Sequence, residues 1–182
     1  HHLALINGHA AEGNLEKIKE YLSQTEMEID AITPKRYCTN ETVNLVLSSF
    51  ETKATEMKVA LCIEANLPET LSISDTELCS LFSNALENAI FAASKLMEKK
   101  ARRVYLRTLV SNNKLLISTK NAYAGTIQME GEFPKSSNHQ PGHGFGIKSM
   151  AAIVTQHGGL YSFETSENIF TLQLMLPLIA KS

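Results

Sequence analysis

Apolar residues recur at helical spacing most clearly between Ser74 and Met97. Leu78, Leu81, Phe82, Ala85, Leu86, Ala89, Ile90, Ala93, Leu96 and Met97 share one broad face, and this spacing predicts a long, half-buried helix. Ser74 or Asp75 can cap its start, and Glu77, three residues after Ser74, completes a capping-box pattern. The opposite face carries Ser80, Asn84, Glu87, Asn88 and Phe91. A solvated face ordinarily carries Lys, Glu and Arg, because each interior Asn costs roughly 0.6 kcal/mol against Ala. Either this is an untidy surface, or the amide-bearing face lines a pocket for something polar.

The same reading orders the rest of the chain. His1 to Glu12 reads as a helix end, Gly13-Asn14 as a turn, and Leu15 to Ile32 as a second helix. Leu15, Ile18, Leu22, Thr25, Ile29 and Ile32 follow a three-four seam, with Thr25 the weak position. Such a hairpin pairs with a second copy to form a four-helix dimer, or docks on the domain that follows. Pro34 ends it, giving a hairpin over 1–33 and a domain over 34–182. Asn40 to Met57 reads as a helix striped by Val43, Val46, Leu47, Phe50 and Ala54, with Thr39 or Asn40 near its cap. Val59–Ala65 alternates as a strand, and Leu71–Ile73 reads as a short one. Val104–Val110 and Leu115–Thr119 are strands joined by Ser111-Asn112-Asn113. Tyr123 to Gly142 lacks periodicity and reads as a long loop. Gly146–His157 is a helix stopped by Gly158-Gly159, and Leu160–Glu164 pairs with Phe170–Leu176. The expected fold is α+β: a two-layer α/β sandwich with helices on one face of a mostly antiparallel sheet, preceded by a helical hairpin.

Composition changes this picture little. With 182 residues and 43% apolar content the chain can bury a full core, and its net charge of −2 gives no electrostatic case for nucleic acid. Cys38, Cys62 and Cys79 are odd in number and form no CxxC pair, so reduced thiols are expected and a zinc site is not. No run of about 18 apolar residues occurs, and no signal peptide is present. The start at His1, already in helical register, suggests further sequence upstream, where any membrane segment would lie.

Gly142-His143-Gly144-Phe145-Gly146-Ile147-Lys148 stands directly before a helix. Alternate glycines let backbone N–H groups converge, and a helix N-terminus adds partial positive charge, so the unit suits phosphate. Lys148 in the first turn adds a full charge. A Rossmann turn requires a strand running into GxGxxG, and a Walker loop requires a different glycine spacing before Lys-Ser. Neither pattern fits.

Taken together, the Asn-faced helix, the strand ending at Asn121, the long loop and the glycine run resemble the ATP-binding domain of the GHKL superfamily. Within it they resemble sensor histidine kinases of the peptide-pheromone-receptor type. Asn84-Ala85-Leu86-Glu87-Asn88-Ala89 matches the N box, and Gly142 to Ser149 matches the second glycine box. The resemblance covers nearly the whole chain and implies a sandwich holding Mg-ATP under a flexible lid, here residues 123–142. It implies an ATP site of Asn84, Glu87, Asn88, Asn121, Gly142, His143, Gly144, Gly146 and Lys148, with Asn88 on the magnesium. ATP-hydrolysing relatives place a Glu at the position of Asn84. An Asn is no general base, so transfer is favoured over hydrolysis. The first glycine box departs from the family: Asn121-Ala122-Tyr123-Ala124-Gly125 replaces its Asp with an Asn and lacks one glycine. Asn121 can still accept a bond from the adenine amino group. Phe91 stands where many relatives place a charged residue.

His1 and His2 resemble the tail of the phosphoacceptor motif, which puts the acceptor His just upstream, with His1 and His2 themselves the lesser candidates and a tag remnant the alternative; His9 reads as a surface residue. The implied activity is transfer of the γ-phosphoryl to a hairpin histidine, then relay to a response regulator. The implied assembly is a homodimer through the hairpin, on the cytoplasmic side of a membrane-anchored bacterial protein. A non-catalytic nucleotide-binding dimer and a serine kinase of the anti-sigma type are the alternatives.

Overall fold

The computed structural model describes residues 2–32, 35–130, 133–134 and 146–178. The chain divides into two compact units, His1–Lys35 and Arg36–Ser182. The first contains α1 (His2–Ala11) and α2 (Leu15–Ile32), which pack on each other across a turn at Gly13-Asn14. Of the seam positions, Leu15 and Leu22 are exposed and Ile18 is half-buried. The side chains of Thr25, Ile29 and Ile32 fall outside the described ones.

The second unit is built around α4 (Asp75–Ser94). Its Leu78, Leu81, Phe82, Ala85, Leu86, Ala89, Ile90 and Ala93 are buried, so the 3.6-residue period is realised along its whole length. α3 (Glu41–Glu56), capped by the Asn40 side chain on the Val43 N–H, flanks it on one side, and α5 (Gly146–Gln156) on the other. Beneath them lies a five-stranded sheet of β1 (Ala60–Asn66), β2 (Arg103–Ser111), β3 (Lys114–Ala122), β6 (Leu160–Ser166) and β7 (Ile169–Pro177), in the order β1-β2-β3-β7-β6. The β1–β2 ladder is parallel, and the others are antiparallel. Alternate residues face the helices: Val104 and Leu106 of β2, Leu115 and Ile117 of β3, and Leu172, Leu174 and Leu176 of β7 are all buried. This is the expected two-layer sandwich.

Two hairpins turn on residue pairs with positive φ, Asn112-Asn113 (49° and 56°) and Glu167-Asn168 (49° and 61°), the signature of a type I′ turn whose twist suits antiparallel strands. After α5, Gly159 lies so close to the Met175 carbonyl and Val154 that no Cβ would fit there.

Four expectations need correction. Leu71–Ile73 is not a strand; the segment bends after Pro68 without a ladder partner, buries Ile73 in the core and packs Leu71 against its margin. α4 stops at Ser94, so Leu96 and Met97 leave its apolar face, and Met97 is 96% exposed. The cause is the approach to β2: a 3-10 turn at Lys99–Ala101 redirects the chain, and Arg102 Nε donates to the Leu96 carbonyl at 2.9 Å. The loop after Tyr123 also contains structure, a short hairpin of β4 (Met129–Glu130) and β5 (Phe133–Pro134). Phe133 anchors it against Tyr161 and Phe163, with ring centroids 6.1 Å and 6.2 Å away. Finally, β3 runs on to Ala122, past the Thr119 bound set by alternation and one residue beyond Asn121, which therefore lies within the ladder.

Candidate functional site

The start of α4 is fastened by its own capping box. Ser74 Oγ accepts from the Glu77 N–H at 3.3 Å, and the Glu77 carboxylate accepts from the Ser74 N–H at 3.0 Å and its hydroxyl at 2.6 Å. The other Glu77 oxygen lies 2.9 Å from His157 Nε2, just past the end of α5. Hydrogen bonds from Ser74, and then from His157, hold the Glu77 carboxyl below its ordinary range. This clasp ties the two helices that bear the candidate residues.

One face of α4 then carries Ser80, Asn84, Asn88 and Phe91. Asn84 Nδ2 donates to Ser80 Oγ at 3.1 Å, which leaves Oδ1 toward the first residue of α5. A Cβ on Gly146 would stand 2.8 Å from that oxygen, so glycine at 146 lets α5 begin against Asn84 without displacing its amide. Asn88, one turn on, is exposed, and its side chain makes no hydrogen bond among the described residues. Glu87 turns the other way: its carboxylate meets Lys53 Nζ of α3 at 2.7 Å, both side chains being 42% exposed. At that exposure the pair contributes at most about 1 kcal/mol.

Asn121 lies on the helix-facing side of β3, between Val104 and Phe170, and is 3% exposed. Its Nδ2 donates to the Ala122 carbonyl at 3.1 Å, so its Oδ1 remains an acceptor without a partner among the described residues. The chain leaves it through Tyr123, whose N–H donates to the Asn168 carbonyl at 3.0 Å. Gly125 follows at φ +81°, a conformation that accounts for the one glycine retained in this box. Gly146 opens α5, and Lys148 is exposed in its first turn. Gly142, His143, Gly144 and His1 lie outside the described residues, and His2 begins α1.

Asn84 and Gly146 thus meet where α5 begins against α4, with Asn88 one turn on along α4 and Lys148 in the first turn of α5, and Asn121 lies on the sheet face under the helices. The free N–H groups of a helix start bind anions, and an amide oxygen is a fitting ligand for a hard cation. Glu87 is drawn aside by Lys53. The His157 and Lys53 contacts escaped sequence reasoning because their partners lie 80 and 34 residues away. Within the second unit, a separate groove of about 890 Å³ occupies the face of the sheet opposite α3, α4 and α5, lined by Tyr105, Arg107, Leu116, Lys120, Leu160 and Met175 among others. It includes none of Asn84, Asn88 and Asn121, so its size does not make it the site of this chemistry.

Residues 73–177 match the family model described as the GHKL domain. No curated protein matches the chain. Among solved structures, a nucleotide-free form of the catalytic domain of histidine kinase ThkA is 21% identical with a TM-score of 0.57, over 76% of this chain and 92% of that one. The Acinetobacter baumannii histidine kinase AdeS is 13% identical with a TM-score of 0.57, over 97% and 95%. The mycobacterial sensor histidine kinase MprB is 17% identical with a TM-score of 0.51, over 76% and 94%. At these identities the likeness establishes the fold.

Proposed function

The chain belongs to the GHKL domain family, and from that premise we propose that residues 34–182 are the ATP-binding catalytic domain of a two-component sensor histidine kinase, of the peptide-pheromone-receptor type. The observation that carries this reading is the start of α5 set against Asn84, with glycine at 146 and Asn88 free one turn on. When bound, Mg-ATP supplies the phosphoryl group and a divalent cation that offsets phosphate charge. Asn88 holds the metal through its amide oxygen. Gly142, His143, Gly144, Gly146 and Lys148 receive the phosphates, and Asn121 Oδ1 accepts from the adenine amino group. Glu87 belongs to the same helical turn and steadies it against α3 through Lys53. Asn84 has no basic lone pair with which to activate water, which favours transfer to protein over hydrolysis.

The hairpin over residues 1–33 is the dimerisation and phosphotransfer element, with the acceptor histidine upstream of His1 and His2. Its exposed Leu15 and Leu22 support pairing with a second copy. A response regulator then takes the phosphoryl group on an Asp. No helix among the described residues is long and apolar enough to cross a membrane, so any anchor lies outside them. The kinase portion is placed on the cytoplasmic side of such an anchor, and a helical hairpin ahead of the domain favours this reading over a serine kinase.

Incubation with γ-labelled ATP tests the proposal. The 182-residue chain should bind ATP without forming an acid-labile phosphoprotein, and a version extended upstream should label on histidine. An extended form that binds ATP and never labels would leave a nucleotide-binding signalling module in its place.

A further inference from the structure

Past Asn88, the stripe on α4 continues through Phe91 to Lys95. Asn84, Asn88, Phe91 and Lys95 follow one another at steps of four, three and four residues, which keeps them on one side of the helix. Lys95 is the C-cap of α4 and is exposed, and its Nζ stands 4.5 Å from the centroid of the Phe91 ring. An ammonium at that distance is attracted by the negative face of an aromatic ring. A C-cap lysine can serve merely to complement the helix dipole, with its charge directed beyond the last turn. Here the ring draws the charge back by one turn, over the stripe.

The surroundings leave that charge available. Lys53 is neutralised by Glu87 at 2.7 Å, and the Arg102 guanidinium is tied to the Leu96 carbonyl, whereas Lys95 has no ion pair among the described residues. Its exposed neighbours Lys99, Lys100 and Arg103 are cations, opposed locally by Glu98. From one end to the other, the stripe offers the start of α5 at Asn84, the free amide of Asn88, an aromatic ring and an ammonium. Seven helical residues separate Asn88 from Lys95, a rise of about 10 Å, within the combined span of a triphosphate chain and a lysine side chain. A cation at one end and an anion-binding helix start at the other suit a polyanion lying along the stripe.

We propose that Lys95 is a phosphate-binding residue of the nucleotide site and that Phe91 is the platform that positions it. This rests on the ATP-binding reading above and assigns the two residues of the stripe that reading leaves without a role.

Calorimetric titration of the full chain with Mg-ATP and, separately, with adenosine tests it. Wild-type protein that binds neither overturns the ATP reading and this proposal with it. Given wild-type binding, Lys95→Gln should weaken Mg-ATP by about fivefold to tenfold, the size of one charge-assisted contact, and leave adenosine unchanged. Lys95→Arg should retain most of the affinity. Phe91→Leu should weaken Mg-ATP by about twofold to threefold, and Phe91→Tyr, which keeps the ring, should restore it. Lys99→Gln removes the same charge nearby and should change nothing. The Lys95 assignment fails, with the ATP reading intact, if Lys95→Gln leaves Mg-ATP affinity unaltered. It fails also if adenosine weakens equally, or if Lys99→Gln has the same effect. Phe91 loses its positioning role if the Leu and Tyr variants behave alike.

Discussion

At the start of α4, Ser74, Glu77 and His157 use up one another's hydrogen-bonding capacity, whereas farther along the same helix Asn88 has no partner among the described residues. The apolar face beneath is equally buried at both ends, from Leu78 at 1% exposure to Ala93 at 0%. Stability therefore comes from the buried face throughout, with the capping clasp added at one end. The other end can keep polar groups unpaired, because the fold does not depend on them. A polar group left without a partner on a well-packed helix is a better pointer to binding than one already satisfied.

Three measurements would break or sharpen that contrast. The largest effect belongs to the unpaired end: Asn88→Ala should reduce magnesium-dependent ATP affinity by more than about tenfold while leaving the melting temperature unchanged, because the side chain holds nothing in the free protein. Unchanged affinity would mean that the metal is misplaced. At the fastened end the pattern should invert. Glu77→Gln should cost about 1 kcal/mol of stability at neutral pH, a fall of about 2–4 °C in Tm, with Mg-ATP affinity preserved. The smallest difference should appear in acid. The Glu77 carboxyl is held below its ordinary value of 4.5, so the folded state binds that proton more weakly than the unfolded chain does. Its contribution is complete above 4.5 and disappears as pH falls through the lowered value. Wild type and Glu77→Gln should then converge in Tm; a gap that persists in acid would show that the carboxylate charge is not what fastens the helix.

Features set by neighbours in the chain could be read in advance. The eight buried positions of α4, the capping box and the hairpin around Asn112-Asn113 all follow from spacing within a few residues, although Ser111 proved to belong to the strand. The family pattern pairs the N-box helix with the second glycine box, and of those residues Asn84 and Gly146 stand in contact. What escaped reading depends on distant partners. Leu71–Ile73 has the composition of a strand but finds no ladder, and Phe133 orders part of an aperiodic loop only because Tyr161 and Phe163 wait across the fold. Glu87 looks like one more polar group on the amide face until Lys53 of another helix draws it aside.

The parallel ladder between β1 and β2 carries a consequence for the order of folding. The hairpins β2–β3 and β6–β7 close across two-residue turns, whereas β1 meets β2 only after the chain has travelled from Leu67 to Arg102. By loop-closure entropy the longer path costs about 2–3 kcal/mol more to join, before any contact repays it. All of α4 lies on that path. The strand at the sheet edge and the helix with the amide stripe should therefore be captured together, after the hairpins exist, so that the chain acquires a binding surface only at the end of its folding. Pulse-labelled hydrogen exchange reads that order directly: β1 amides protected as early as those of β3 would contradict it.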